Sequence, residues 1–260
     1  MLEINKIYCA DCLDLMTEIN DHSVDMILCD LPYGTTMCKW DTIIPFEPLW
    51  AQYKRIIKDN GAIVLTSQQP FTTDLINACR ELFRYEIIWE KTMKMGFFNA
   101  NKMPLRAHEN LLVFYKSLPK YNPIKSIIKE NYRKRKREKD RYLGYSSIGE
   151  CNDFYENTGE RYPTSIVKFS NWNGALFGNN SNATKHHTQK PVALFEYLIK
   201  TYTNKGDLVL DNCIGSGTTA VACINTGRNF IGIEKDEDYF KIAQRRIKDA
   251  QEQERIDQWF

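Results

Sequence analysis

Two short segments, far apart in the chain, carry groups that could do chemistry together. Asp30-Leu31-Pro32-Tyr33 sets a carboxylate and a phenol ring directly after the apolar run Val24–Cys29. Asp211-Asn212-Cys213-Ile214-Gly215-Ser216-Gly217-Thr218-Thr219 follows Leu208-Val209-Leu210 and offers glycine-rich backbone N–H groups at the start of a helix, a setting suited to a polar or anionic cofactor. Each apolar run reads as a buried parallel strand, and open α/β sheets hold their ligands at the carboxyl ends of such strands. A carboxylate beside an aromatic ring at one strand end, with a cofactor cradle at another, predicts a group-transfer site.

Taken alone, the glycine turn also suits a dinucleotide enzyme. Gly215-x-Gly217-x-x-Ala220 meets the short form of that fingerprint, and Glu234 closes the next strand, where a carboxylate can accept both ribose hydroxyls. Adenosine recognition follows for either cofactor, and an NAD-dependent oxidoreductase is the alternative of a different class. An isolated Asp-x-Pro-Tyr can also be a capped turn with a packed rim ring. Cys9 and Cys12 have metal-pair spacing, but no second pair or nearby histidine completes a zinc site, so no metal is expected.

The elements that must position these groups alternate. Strands are predicted at Ile7–Ala10, Val24–Cys29, Ala62–Leu65, Tyr85–Trp89, Asn110–Tyr115, Asp207–Leu210 and Asn229–Ile233. Helices are predicted at Cys12–Ile19, Glu47–Lys58 (stopping at Asn60-Gly61), Phe71–Leu82, Val192–Tyr202, Thr218–Asn225 and from about Asp236. This is an α/β chain with a doubly wound, mostly parallel sheet. The consecutive strands around the Met95–His108 loop add an antiparallel edge strand. From Ser117 to His186 the rhythm gives way to a polar, basic and aromatic stretch read as an insert, so the expected organisation is 1–116, 117–186 and 187–260, the first and last being halves of one domain.

Composition sets bounds. With 260 residues, 43% of them hydrophobic and 26% charged, the chain can bury a full core, and a formal charge of +2 is too small to imply nucleic acid by itself. Distribution matters more: Lys125 to Arg141 concentrates cations, including Arg133, Lys134, Arg135, Lys136 and Arg137. The eight cysteines form no disulfide-like framework, no signal segment opens the chain, and no apolar run is long enough to span a bilayer. A cytoplasmic protein without a membrane partner is expected.

Asp30-Leu31-Pro32-Tyr33-Gly34, Trp89-Glu90-Lys91, Arg106-Ala107-His108-Glu109, His187-Thr188-Gln189-Lys190-Pro191, the glycine turn, and Gly232-Ile233-Glu234 with Tyr239-Phe240, in that order, resemble the amino-group DNA methyltransferases that use S-adenosylmethionine. The resemblance is to the circularly permuted beta class, in which the catalytic tetrapeptide precedes the glycine motif. It implies a permuted Rossmann-like methyltransferase fold with an inserted target-recognition region at 117–186. It further implies cofactor contacts from Asp11, Asp30, Thr188, Gln189, Lys190, Asp211, Gly215, Ser216, Gly217, Thr218, Thr219 and Glu234, with Thr188, Gln189 and Lys190 against the methionine carboxylate. Double-stranded DNA is the implied partner, and a second copy of the chain and a cognate restriction endonuclease are further partner expectations.

An exocyclic amino group is a poor nucleophile because its lone pair is delocalised into the ring. The Asp30 carboxylate and the main-chain carbonyl of Leu31 could accept its two N–H bonds and return electron density to nitrogen, while Tyr33, after Pro32 in the catalytic tetrapeptide, stacks on a base flipped from the duplex. The family usually has proline where Leu31 stands; a main-chain role survives that change. Aspartate at position 30 is associated in the family with adenine N6, and cytosine N4 is the alternative. Carbon-5 chemistry needs a Pro-Cys nucleophile, and the sequence contains no such pair. Lys39 and Trp40, in the loop after the tetrapeptide, Arg106 and His108 at the site's edge, and Arg133 to Arg137 in the insert are the expected nucleic-acid contacts.

Overall fold

The computed structural model describes residues 2–35, 41–127, 159–171 and 189–257. Lys39, Trp40, Thr188 and the run Arg133 to Arg137 lie outside the described residues. In chain order the elements are β1 (Lys6–Cys9), α1 (Cys12–Met16), β2 (Val24–Cys29), α2 (Phe46–Ile56), β3 (Ile57–Ser67), α3 (Phe71–Ala78), β4 (Phe83–Met95), β5 (Arg106–Phe114), β6 (Ser126–Ile127), β7 (Glu160–Arg161), β8 (Ile166–Phe169), α4 (Val192–Tyr202), β9 (Leu208–Asp211), α5 (Thr218–Thr226), β10 (Asn229–Glu234) and α6 (Glu237–Asp257).

Eight strands form one sheet in the order β1-β10-β9-β2-β3-β5-β4-β8, and β6 pairs with β7 as a separate ribbon. Every neighbouring pair in the large sheet is parallel except β3 with β5 and β5 with β4. The antiparallel strand is therefore β5. It lies inside the sheet, because β4 and β8 continue beyond it. By contacts the chain separates into two compact units, Met1–Asn122 with Ser165–Phe260, and Pro123–Thr164. Within the interval 117–186 read as an insert, β8 thus belongs to the main sheet.

Every residue of β2 is buried, which is why the sheet needs helices on both faces. Val24, Ile27 and Cys29 enter one core with Leu49, Trp50 and Tyr53 of α2 and Phe71 and Leu75 of α3. Met26 and Leu28 enter the other with Leu194, Phe195 and Leu198 of α4 and Ala220 and Cys223 of α5. Each large apolar side chain so buried contributes about 1.5–3 kcal/mol. Asp25 is the one charged residue in β2, and its carboxylate is satisfied by Lys58 Nζ at 2.8 Å, Lys120 Nζ at 3.2 Å and the Leu208 N–H at 3.1 Å, tying the start of β2 to that of β9.

Several boundaries differ from the sequence-based expectation for physical reasons. Helix α2 stops at Ile56 because Ile57 turns extended and pairs with Val24. The Asn60-Gly61 pair, expected to end the helix, instead lies in a bulge of β3. A Cβ at Gly61 would stand 2.8 Å from the Asp25 carbonyl oxygen, so only glycine lets the strands close there. Helices α1 and α3 end earlier than Ile19 and Leu82, at Met16 and Ala78, where the chain continues in single turns (Ile19 N–H to Met16 O, Leu82 N–H to Cys79 O). The expected loop Met95–His108 is strand at its two ends, at Met95 and from Arg106 to His108, since Glu90 pairs with His108 and Met95 with Arg106.

Gly217 shows how closely the layers approach. Its φ is +86°, and a Cβ there would lie 3.1 Å from both Cα and Cβ of Ala243 in α6. Gly217→Ala is expected to lower unfolding free energy by about 1–3 kcal/mol through combined backbone strain and overpacking. A urea titration of both proteins, read by circular dichroism, checks it.

Candidate active site

The carboxyl ends of β1, β2, β9 and β10 meet around one cavity of about 790 Å³, lined among others by Asp11, Asp30, Tyr33, Asp211, Gly215 and Glu234. This is where a parallel sheet exposes unpaired backbone and places ligands. Strand β5 contributes from its beginning, through Arg106 and Glu109. Running antiparallel, it brings its first residues to the edge where the others end: Asn110 lies opposite Ser67, the last residue of β3.

The catalytic-side cluster is a chain of alternating charges. Lys190 Nζ stands 2.7 Å from both Asp30 oxygens and 3.4 Å from Glu109 Oε2, while Glu109 Oε1 accepts from Lys91 Nζ. Lys91, Glu109 and Lys190 are each more than nine-tenths buried. Burial pulls the Lys190 ammonium down, but the Asp30 and Glu109 carboxylates outweigh it and hold its pKa above the ordinary lysine value. Asp30 Oδ1 also accepts from the Tyr33 hydroxyl at 2.9 Å and from Thr66 Oγ1. Among the described residues Oδ2 accepts only from Lys190, which leaves it acceptor capacity. Burial, and then the charges of Asp30 and Glu109, push the Tyr33 phenol far above its usual pKa, so it stays a neutral donor. The Tyr33 ring stacks on Phe71 at 5.2 Å, and Lys190 Nζ lies 5.4 Å from its centroid. Gly34 and Thr35 N–H groups donate to the Asp41 carboxylate at 2.8 and 2.9 Å, fixing the chain beyond the tetrapeptide.

On the opposite wall, Glu234 Oε2 accepts from Gly215 N–H and Oε1 from Asp236 N–H, both at 2.8 Å. Burial raises its pKa against those two bonds, and each oxygen keeps a lone pair for a hydroxyl. Asp11 caps α1 through Leu13 N–H at 2.9 Å and pairs with Lys235, which chiefly lowers its pKa. Asp211 is 3% exposed and is held by Cys213 N–H at 3.0 Å and the Thr219 hydroxyl; burial pushes its carboxyl up to about 7.

Of the site residues expected from sequence, Asp11, Asp30, Leu31, Pro32, Tyr33, Arg106, Gln189, Lys190, Asp211, Gly215, Ser216, Thr218 and Glu234 line the cavity. Gly217 and Thr219 do not. Gly217 makes room for Ala243, and Thr219 turns inward to Asp211. His108 is an exposed residue of β5 outside the cavity lining. Glu109 pairs with Lys91 and Lys190, since strand alternation turns it to the opposite face from His108. Arg106 reaches Gln68 at 3.2 Å. Sequence reading passed over Thr66, at the end of an apolar strand, and Arg246 of α6, whose Nη1 donates to Ser216 O at 2.6 Å and Oγ at 2.9 Å and so clamps the glycine turn. Thr66 could have been found as the polar end of an apolar run; nothing local marks Arg246.

Comparisons with known proteins show the family and the fold. Residues 24–245 match the family N6_N4_Mtase, described as DNA methylase. The chain is similar to the Type II methyltransferase M1.MboII of Moraxella bovis, 27% identical over 94% of this chain and 96% of that protein. It is 30% identical to the DNA adenine methyltransferase YhdJ of Escherichia coli (strain K12), over 94% of this chain and 83% of the relative. Among solved structures, the M1.HpyAVI complex with SAM superposes with a TM-score of 0.59 at 26% identity, covering 93% of this chain and 98% of that one.

Two outcomes are expected from the buried charges. Glu109→Gln strands the buried Lys91, while Lys190 keeps Asp30, and should cost roughly 3–5 kcal/mol of stability. The double change Lys91→Met with Glu109→Leu should recover much of that loss in the same urea titration. Because the folded Asp211 carboxyl binds its proton more tightly than the unfolded one, its contribution to stability is full at acid pH and is lost as pH rises towards about 7. Stability of wild type relative to Asp211→Asn should therefore fall between pH 5 and pH 7 and level off above it, as measured by urea midpoints across that range.

Proposed function

The chain belongs to the N6/N4 DNA methylase family and is an S-adenosylmethionine-dependent DNA methyltransferase; from that premise we propose that its acceptor is the N6 amino group of adenine in duplex DNA, reached by flipping the base. The observation that carries this reading is the Asp30 carboxylate, oriented by Thr66, Tyr33 and Lys190, in one cavity with the glycine turn and Glu234. Aspartate at the first position of the tetrapeptide favours adenine over cytosine N4, and the name of the 30%-identical relative, a DNA adenine methyltransferase, points the same way. The order of tetrapeptide before glycine turn supports assignment to the permuted branch.

The residues present fit the cofactor. Glu234 and Asp11 retain acceptor capacity for hydroxyls, Lys190 is cationic, and at Gly215 (φ +53°) a Cβ would meet nothing nearer than 4.0 Å. We assign Glu234 to the ribose, Asp11 to the adenine end, Asp211 with Gly215, Ser216 and Thr218 to the methionine end, and Lys190 with Gln189 and Thr188 to the methionine carboxylate. When bound, S-adenosylmethionine supplies an electrophilic methyl group on a sulfonium. This chain's part is to raise the nucleophilicity of the amino nitrogen. Asp30 Oδ2 accepts one amino N–H and the Leu31 carbonyl the other, and Asp30 stands nearest to take the proton that nitrogen sheds after transfer. Tyr33, anchored through its hydroxyl, presents its ring to the base. Arg106 and the cations Lys39 and Arg133 to Arg137 are proposed phosphate contacts, the interval 117–186 a proposed reader of sequence, and a second copy of the chain and a cognate endonuclease proposed partners.

Wild type and Asp30→Ala are each incubated with labelled S-adenosylmethionine and unmethylated genomic DNA, then the DNA is digested and its nucleosides resolved by mass spectrometry. N6-methyladenine is expected from wild type, with Asp30→Ala slower by roughly 100-fold or more and cofactor affinity largely kept in calorimetry. N4-methylcytosine would overturn the base assignment. Equal loss of transfer and cofactor affinity would overturn the role given to Asp30.

A further inference from the structure

Between β4 and β5 the chain forms a tip that the transfer chemistry leaves unused. Gly96, with φ +95°, turns the backbone, and Phe97–Asn99 form a short 3₁₀ turn. Four backbone hydrogen bonds brace it: Asn99 N–H to Gly96 O, Ala100 N–H to Phe97 O, and Lys102 and Met103 N–H to Asn99 O, at 2.9–3.1 Å. On this braced tip Phe98 is fully exposed, Phe97 is 68% exposed and Met103 56%. Water-exposed aromatic rings side by side on an ordered turn are a standing cost unless a partner covers them.

The surroundings indicate which partner. No acidic residue occurs between Thr92 and His108, a stretch that contains Lys94, Lys102 and Arg106. The same stretch joins the catalytic cavity, which Met95 and Arg106 line. An aromatic tip on a segment that carries cations and no carboxylate of its own, continuous with a cavity that must receive a base, is complementary to a polyanion with a stacked apolar interior. We propose that Phe97 and Phe98 are a wedge that enters the DNA base stack beside the target and holds open the gap left by the extruded base, with Lys94, Lys102 and Arg106 seating the tip on the phosphates. This rests on the reading of the chain as a base-flipping DNA methyltransferase and adds to it the element that opens the duplex. Apolar side chains inserted at a base step unstack it, and a ring lodged there replaces part of the stacking that the departing base gives up.

The test separates opening from mere binding. Genomic DNA methylated by wild type maps the target, and two synthetic duplexes are made, one fully paired and one with the target base mispaired. On the paired duplex Phe98→Ala should lose roughly tenfold or more in kcat/KM, with Phe97→Ala in the same direction and Phe98→Trp close to wild type. On the mispaired duplex, whose target base is already partly unstacked, most of the loss should disappear. Cofactor affinity, measured by calorimetry with S-adenosylhomocysteine, should not change, which confirms that the variants are folded. Equal losses on the two duplexes, or no loss on either, would overturn the wedge. Conversion of a dimer to a monomer by Phe98→Ala in sedimentation would also overturn it, assigning the tip to self-association. Absence of any DNA methylation by wild type would instead strike the function on which the wedge depends.

Discussion

A buried charge has to be paired or it is expelled, and that constraint organises the catalytic half of this protein. Lys91, Glu109, Lys190 and Asp30 alternate in sign from the sheet interior to the cavity wall, so each of the three buried ions sees an opposite neighbour. Removing Glu109 leaves Lys91 as a desolvated charge without its carboxylate, so the inner end of the chain depends on that one residue. Its functional end is Asp30. A carboxylate held by Lys190, Tyr33 and Thr66 cannot rotate freely, so its remaining acceptor capacity is aimed before any substrate arrives.

That arrangement depends on the topology of the sheet. Glu109 can face Lys190 only because β5 runs against its neighbours and delivers its first turn of residues to the edge where β2, β9 and β10 end. Strand β4 then supplies Lys91 from beyond β5, with Trp89 beneath it as a cation–π partner at 5.3 Å. Trp89 in turn donates to Phe169 O at 3.0 Å, so β8 at the sheet edge steadies the base of the charge chain.

The cofactor half follows a different rule. Here backbone geometry carries the site, and side chains hold the backbone. Asp211 is fastened under the glycine turn, Arg246 grips Ser216 from α6, and Gly217 permits α6 to come close enough to do so. Tyr53 of α2 reaches Asn212 Oδ1 at 2.5 Å, linking the far core to the same turn. Both halves thus use the sheet as a rigid base and hold the groups at its rim by hydrogen bonds.

The sequence by itself determined the classes of part. Apolar runs buried on both faces, as in Val24–Cys29 and Leu208–Leu210, announce parallel strands, and the polar ends Asp30 and Asp211 mark where ligands go. These signals are local, because strand burial and turn chemistry are written in adjacent residues. Boundaries that depend on a neighbour were not legible. Asn60-Gly61 looks like a helix stop, yet Ile57 is drawn into β3 by its pairing with Val24, and only the approach of Asp25 explains the glycine. The polar ends of β4 and β5 lack an alternating pattern because each pays for its backbone with the other's hydrogen bonds. What only the tertiary structure decided is which charges meet. Lys91, Glu109 and Lys190 are scattered along the chain, and electrostatic pairing acts over a few ångströms of space whatever the separation in sequence. Folding alone brings Thr66 to Asp30 and Arg246 to Ser216, so the residues that hold the site could be named only once their neighbours were known.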